Sequence, residues 1–438
     1  MSDFALDPVP LLQKLIRFDT TNPPGKTDEC IAFLDETIRR AGLTTKILAK
    51  SPQSPNLIAR LPGRGEAPPL LLYGHVDVVT TAHQKWSHPP FSGEIIDGFV
   101  WGRGALDMKG GVAMLLSAFL QAKAEGFRPA GDLIFLAVSD EENNSWNGAR
   151  FLAEEHADLF EGVRYAFGEF GGFTLYIGDR VFYPIQVAEK GMCRLKVSFH
   201  GPAGHGSFPI RGGAMAKLAR FLLQLDRRRL PVHVPPATRM MIEAMAEGLG
   251  GAGGWMLKRL LNPALTDPLL DMMGKQLAFF DPLLHNTVSP TILHGSEKLN
   301  VIPAEVSVEL DARLLPGQTT ETLIEELRPL AGEEAAIEVM GCDPIVPPEP
   351  DMGLFGMLSD ILRKLDPEGL PVPLLLTGAT DARIFASLGI QSYGYLPMKL
   401  PKAFDFSRTI HAADERIPVE AVYFGTRAIY EAIRRYGA

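Results

Sequence analysis

Two short runs constrain this chain more than anything else in it. Leu70-Leu71-Leu72-Tyr73 and Leu133-Ile134-Phe135-Leu136-Ala137-Val138 are apolar without interruption. A strand with one wet face alternates in polarity, so an unbroken apolar run between turns predicts a central strand with helices over both faces. Other segments support that reading. Pro10 to Phe18 and Glu29 to Ala41 have helical patterning, whereas Thr45 to Ala49, Asn56 to Leu61 and Val163 to Phe167 read as strands. The alternation of kinds predicts an α/β sheet, mostly parallel, which binds ligands at its strand ends. After Gly111, Val112, Leu115, Leu116, Phe119 and Leu120 form one stripe of a helix that Gly126 stops.

The pattern changes near Lys190. Cys193-Arg194-Leu195-Lys196-Val197-Ser198-Phe199 and Glu305-Val306-Ser307-Val308-Glu309-Leu310 alternate with period two, and Ala214 to Leu225 and Thr320 to Leu330 are helical. A second, α+β domain is expected there. The Gly-, Met- and Leu-rich segment Met240 to Pro282 fits neither scheme and reads as an insertion. Beyond Cys342-Asp343-Pro344-Ile345-Val346-Pro347-Pro348 the first character returns. The expected organisation is therefore a catalytic domain in two parts, 1–189 and 346–438, interrupted by a domain over 190–345 with its apolar insertion at about 240–282. A chain of 438 residues has room for this.

Composition narrows the function. With 43 Lys+Arg against 52 Asp+Glu the net charge is −9, which argues against a nucleic-acid partner. Cys30, Cys193 and Cys342 are far apart and odd in number, with no CxxC pair, so they read as reduced packing cysteines rather than a disulfide framework or thiolate metal site. The start Met1-Ser2-Asp3-Phe4-Ala5-Leu6-Asp7 lacks a basic, apolar leader, and no run of about 18 apolar residues occurs. The expectation is a cytoplasmic protein without a membrane partner.

Five weak signals carry chemistry. Gly74-His75-Val76-Asp77 puts an imidazole and a carboxylate two residues apart at the end of a buried strand, a spacing that suits a metal ligand with a nearby acid to orient it. Trp101-Gly102-Arg103-Gly104-Ala105-Leu106-Asp107-Met108-Lys109-Gly110-Gly111 sets an acid in a glycine-rich loop at a helix start. That loop has neither the Walker nor the dinucleotide spacing. Asp140-Glu141-Glu142 follows the second apolar strand, Gly168-Glu169-Phe170-Gly171-Gly172 follows another, and His411 lies in Thr409-Ile410-His411-Ala412-Ala413-Asp414-Glu415. Alone, each also reads as a cap, a solvated turn or a packed histidine. Together they supply two divalent ions, each with one His and one terminal carboxylate, sharing Asp107 and a water or hydroxide. Each ion then has four ligands, the number zinc prefers. Nitrogen and oxygen ligands without thiolate suit zinc, and cobalt or manganese as alternatives.

In these residues the chain resembles the co-catalytic zinc peptidases, the family of aminoacylase, acetylornithine deacetylase, succinyl-diaminopimelate desuccinylase and carboxypeptidase G. The match runs through Tyr73 to Val79, Trp101 to Gly111, Asp140 to Glu142, Glu189-Lys190-Gly191, Gly201 to Pro209, Asn300 to Pro303, Asp311 to Gly317, Thr380-Asp381-Ala382-Arg383 and Ile410-His411. The insertion resembles the longer carboxypeptidase S and N-acyl amino acid hydrolase branch. The resemblance implies a zinc-peptidase catalytic domain with a mostly parallel mixed sheet, interrupted by a ferredoxin-like lid and dimerisation domain. It implies that His75, Asp107 and Glu169 bind one metal and Asp107, Glu142 and His411 the other, with Asp77 orienting His75. Glu141 is implied as general base, His205 as oxyanion donor, often supplied by a partner subunit, and Asn300 and Arg313 as holders of the substrate carboxylate. Glu169, where relatives use Glu or Asp, favours N-acyl amino acids or peptide C-termini. The implied protein is a homodimeric amidohydrolase or carboxypeptidase in which a metal-bridging hydroxide attacks the amide. A dipeptidase that recognises a free amino group is the runner-up, and a non-catalytic metal-binding homologue a distant third. The polar, Trp146-bearing turn after the acids and the apolar insertion depart from the simplest family pattern.

Overall fold

The computed structural model describes residues 6–437 and divides into two compact units, Met1–Val187 with Asp351–Leu374 and Thr380–Ala438, and Ala188–Pro350 with Leu375–Ala379. Met1–Ala5, the start of the stretch in which a leader was not expected, lies outside the described residues.

The first unit is organised by a nine-stranded sheet. Its strands run Thr45–Leu48, Asn56–Leu61, Leu133–Val138, Leu70–His75, Tyr165–Gly168, Gln391–Gly394, Arg180–Glu189 and Gly369–Leu376, with Leu175–Ile177 paired to Arg180–Glu189. The four strands from Leu133–Val138 to Gln391–Gly394 are mutually parallel, and antiparallel pairs flank them. The two apolar runs lie side by side in register, Leu70 opposite Leu133 and His75 opposite Val138. Leu70, Leu71 and Leu72 have no exposed surface, each burial stabilising by roughly 1.5–3 kcal/mol.

The helix Lys109–Ala124 packs against the strand Leu70–His75 and against the helices Pro8–Ile16 and Val419–Arg435. Sequence reading gave it one apolar stripe, but nearly every residue of it is buried, because helices cover the face the sheet leaves. Gly126, at φ +67°, follows its end.

The second unit has a four-stranded antiparallel sheet, ordered Thr287–His294, Glu305–Leu314, Gly191–His200, Ala336–Cys342. The helices Ala214–Arg227 and Thr320–Ala331 supply Leu218, Phe221, Leu323 and Leu327 to a core with Leu195, Val197, Val308 and Leu310. This βαββαβ order is ferredoxin-like. The apolar insertion folds as helices Pro236–Leu249, Gly251–Arg259 and Pro263–Met273, followed by short turns up to the helix Asp281–Leu284. No helix among the described residues is long and apolar enough to cross a membrane.

One expectation is overturned here. Cys193 and Cys342 form a disulfide and are not reduced packing cysteines, while Cys30 is free and buried. The antiparallel strands Gly191–His200 and Ala336–Cys342 place the two residues directly opposite each other. A separation of 149 residues hides that neighbourhood from any reading of cysteine spacing. The argument for a reducing compartment loses its basis with it.

Candidate active site

Parallel pairing brings three carboxyl strand ends together, and the acids and the imidazole sit on them. His75 ends the strand Leu70–His75. Asp140, Glu141 and Glu142 follow Leu133–Val138 on one side of it, and Glu169 follows Tyr165–Gly168 on the other. The strand Tyr165–Gly168 ends on a glycine because a Cβ there would lie 2.2 Å from the Tyr73 ring. Asp107 immediately precedes the helix Lys109–Ala124, and His411 follows the short helix Phe406–Thr409.

Two clusters result. In the first, His75 Nε2 lies 2.9 Å from Asp107 Oδ1 and 3.5 Å from Glu169 Oε2. In the second, His411 Nε2 lies 3.0 Å from Asp107 Oδ2 and 3.3 Å from Glu142 Oε1. Asp107 thus gives one oxygen to each set, and within each set the donor atoms all lie within 4.8 Å of one another. Glu169 Oε1 is buried with no hydrogen-bond partner, and Glu142 Oε1 has none beyond the approach of His411. Orphaned carboxylate oxygens are costly unless a cation takes them. The donor set fits two divalent ions held by His75, Asp107 and Glu169 and by Asp107, Glu142 and His411.

The supporting contacts refine the role of Asp77. His75 Nδ1 is 2.9 Å from the Asp77 backbone carbonyl, to which it donates, leaving Nε2 as the ligating lone pair. The Asp77 carboxylate stands 3.7 Å from that ring and instead accepts the backbone N–H groups of Glu141 and Glu142 at 3.2 and 3.1 Å. Asn22 donates to Asp77 at 2.8 Å and to Asp140 at 2.9 Å, and Asp140 also accepts both nitrogens of Asn147. Asp140 therefore shapes the acidic turn and is in neither ligand set. Trp146 is exposed and stacks on Arg150 rather than plugging the site.

A second support holds the other two ligand loops. Arg103 and Glu415 form a fully buried ion pair. Glu415 accepts the N–H of Leu106 at 2.8 Å and of Asp107 at 3.2 Å, while Arg103 donates to the His411 carbonyl at 3.2 Å and to Gln84. Neither residue was singled out in the sequence. The available signals were the charge inside Gly102-Arg103-Gly104 and the acid ending the His411 segment.

The protonation equilibria follow the geometry. Burial pushes the Glu141 carboxyl well up, and the Glu169 charge adds to it. Burial likewise raises Glu142 and takes Glu169 up to about 7, against the opposing hydrogen bond from His75. Burial also works against a charged Asp107, but the hydrogen bonds from His411 and His75 outweigh it and hold that carboxyl well down. Hydrogen bonds from Asp107 and then Glu142 raise His411 to about 10. Asp381, in the Thr380 to Arg383 stretch, is fully buried, accepts from Ser145 Oγ, and contributes to the upward pressure on Glu141. Sequence reading gave it no role.

Three candidates lie in the second unit. His205 pairs with Val301 in a two-stranded ribbon, and Asn300 is beside it, its carbonyl accepting from Gly206 at 2.9 Å. His205 Nδ1 accepts the Ser207 N–H at 3.2 Å and lies 2.7 Å from Ser207 Oγ. A backbone N–H can only donate, so the mobile proton sits on Nε2, the form that can donate outward. Arg313, in the strand Glu305–Leu314, is forked onto Asp311 at 2.7 and 3.0 Å.

A model of peptidase family M20/M25/M40 matches residues 71–435. This chain belongs to that family. It is an M20-type metallohydrolase, and the family's two-domain fold is the one described above. Among its relatives, a probable carboxypeptidase S-like 2 of Dictyostelium discoideum is 28% identical over 80% of this chain and 68% of that protein. The human N-fatty-acyl-amino acid synthase/hydrolase PM20D1 is 29% identical over 84% of this chain and 74% of its own. Among solved structures, an M20 family metallo-carboxypeptidase from Sulfolobus solfataricus superposes with a TM-score of 0.69 at 18% identity, over 98% of this chain and 99% of that one. At that identity it speaks to the fold alone.

Proposed function

We propose that this M20 hydrolase cleaves an amide bond beside a free carboxylate, as an N-acyl amino acid amidohydrolase or carboxypeptidase-like enzyme. The observation that carries this reading is the sharing of Asp107 between two His–carboxylate sets, with Glu141 in neither set but acted on by the charges of Glu169, His75 and Glu142. Bound divalent ions, zinc first and cobalt or manganese as alternatives, supply polarisation of the amide carbonyl and a more acidic water. His75, Asp107 and Glu169 hold one of them, and Asp107, Glu142 and His411 the other. Glu141, whose carboxyl is held by burial well above the usual carboxylate range, takes a proton from the attacking water and returns it to the leaving nitrogen. His205 donates from Nε2 to the oxyanion, and Asn300 and Arg313 hold the substrate carboxylate, Arg313 exchanging Asp311 for it. The relatives support the substrate class: a carboxypeptidase and an N-acyl amino acid hydrolase differ in the acyl group and share an amide beside a carboxylate. The proposed assembly is a homodimer.

The test is hydrolysis of N-acetyl, N-long-chain-acyl and N-carbamoyl amino acids beside unblocked dipeptides, with chelated enzyme and enzyme reloaded with zinc, cobalt or manganese. Metal-restored cleavage of blocked substrates is expected. Cleavage of free dipeptides alone would move the protein to the exopeptidase reading, and no cleavage under any metal would contradict the proposed reaction.

A further inference from the structure

Phe170 directly follows the ligand Glu169 and has φ +62°, a left-handed backbone that a bulky side chain adopts only under constraint. The constraint is visible on both sides of it. The carbonyls of Gly168 and Gly171 accept from Tyr395 and Leu396, and Gly172 N–H donates to the Pro184 carbonyl. Glycine is the residue that this backbone favours, so the ring is retained against a conformational cost. Core packing does not explain it, since Phe170 and Phe173 are only half-buried. The Phe170 ring meets Phe173 and Phe406, each with centroids 5.8 Å away, and Phe173 stacks on Phe406 at 4.2 Å. Phe406 opens the short helix just ahead of His411. The trio therefore joins the two loops that carry a ligand of each metal set, Glu169 and His411.

We infer that Phe170, Phe173 and Phe406 form an apolar wall at the metal centre that binds the acyl group of the substrate and sets a preference for long, apolar acyl chains. The rings offer no hydrogen bond, and Phe170 is the next residue in the chain after the acid Glu169, a setting that disfavours the charged half of an N-acyl amino acid and favours its neutral half. This deepens the function proposed above and rests on it. It places chain-length selection on the catalytic unit and not on the helical insertion.

The test compares N-decanoyl with N-acetyl leucine on zinc-loaded enzyme, parent against Phe170→Gly and Phe406→Ala. The expected result is that the decanoyl/acetyl ratio of kcat/KM falls about tenfold or more in both variants. Phe170→Gly separates this role from a structural one, because removing strain should leave its thermal midpoint at or above the parent's. Equilibrium binding of the same two compounds to zinc-loaded Glu141→Gln enzyme, with and without the Phe substitutions, reads the wall without turnover. Decanoyl preference there that the substitutions abolish supports the wall even if the parent hydrolyses neither compound, an outcome that would sink only the reaction. No decanoyl preference in the parent background, or a preference surviving both substitutions, overturns the wall.

Discussion

The residues at the metal centre divide their labour by what surrounds each one. The Asp77 carbonyl engages Nδ1 of His75 and leaves Nε2 facing Asp107, and Asp107 is held as a carboxylate by two imidazoles. The raised His75, His411 and Glu169 hold protons on the lone pairs that a cation takes, so zinc binding should release protons near neutral pH. Calorimetry in buffers of different ionisation enthalpy reads this directly, and zinc affinity should weaken as pH falls. His205 acts through a single donor whose tautomer Ser207 fixes. His205→Ala should lower kcat by about 10²–10³ with zinc content unchanged, as for loss of one oxyanion donor. Unaltered turnover on every cleaved substrate would remove His205 from the mechanism. Four residues of the two clusters were legible from their setting, His75, Glu142 and Glu169 after readable strands and Asp107 in a glycine-rich loop, whereas His411 follows only the short helix Phe406–Thr409. The Arg103–Glu415 pair was not, since 312 residues separate partners that only the fold brings together.

Elements explain why the centre is rigid. Three neighbouring parallel strands supply His75, the acidic turn and Glu169, whereas Asp107 and His411 come from loops that depend on the buried Arg103–Glu415 pair. Removing one partner strands the other charge in the interior, so Arg103→Ala should cost about 3–5 kcal/mol of stability. Denaturant unfolding of the zinc-loaded protein checks this, and metal affinity should fall with it because the Asp107 and His411 loops loosen together. A small effect on both would mean that the pair is not the clasp. Element types in the sheet were legible from the unbroken apolar runs. Local periodicity makes the helix Lys109–Ala124 look amphipathic because its second buried face meets helices near both ends of the chain, a contact that periodicity does not encode.

At the scale of the molecule, the chain places every proposed metal ligand and the base Glu141 in one unit and His205, Asn300 and Arg313 in the other. The change from continuous to alternating apolar patterning made the second fold visible in the sequence, and the return of the first made its interruption visible. The disulfide and the helical form of the insertion were not visible, because the first depends on a 149-residue closure and the second has no period shared with its surroundings. The central claim is that two metal ions share Asp107 while Glu141 moves the proton. Metal content and turnover of Glu141→Gln and Asp107→Asn, measured side by side on protein reloaded with zinc, test it most directly. The account expects Glu141→Gln to retain about two zinc ions per chain with turnover almost abolished, and Asp107→Asn to lose zinc and turnover together. Equal zinc loss in the two variants, or a Glu141→Gln enzyme that still turns over, would contradict it.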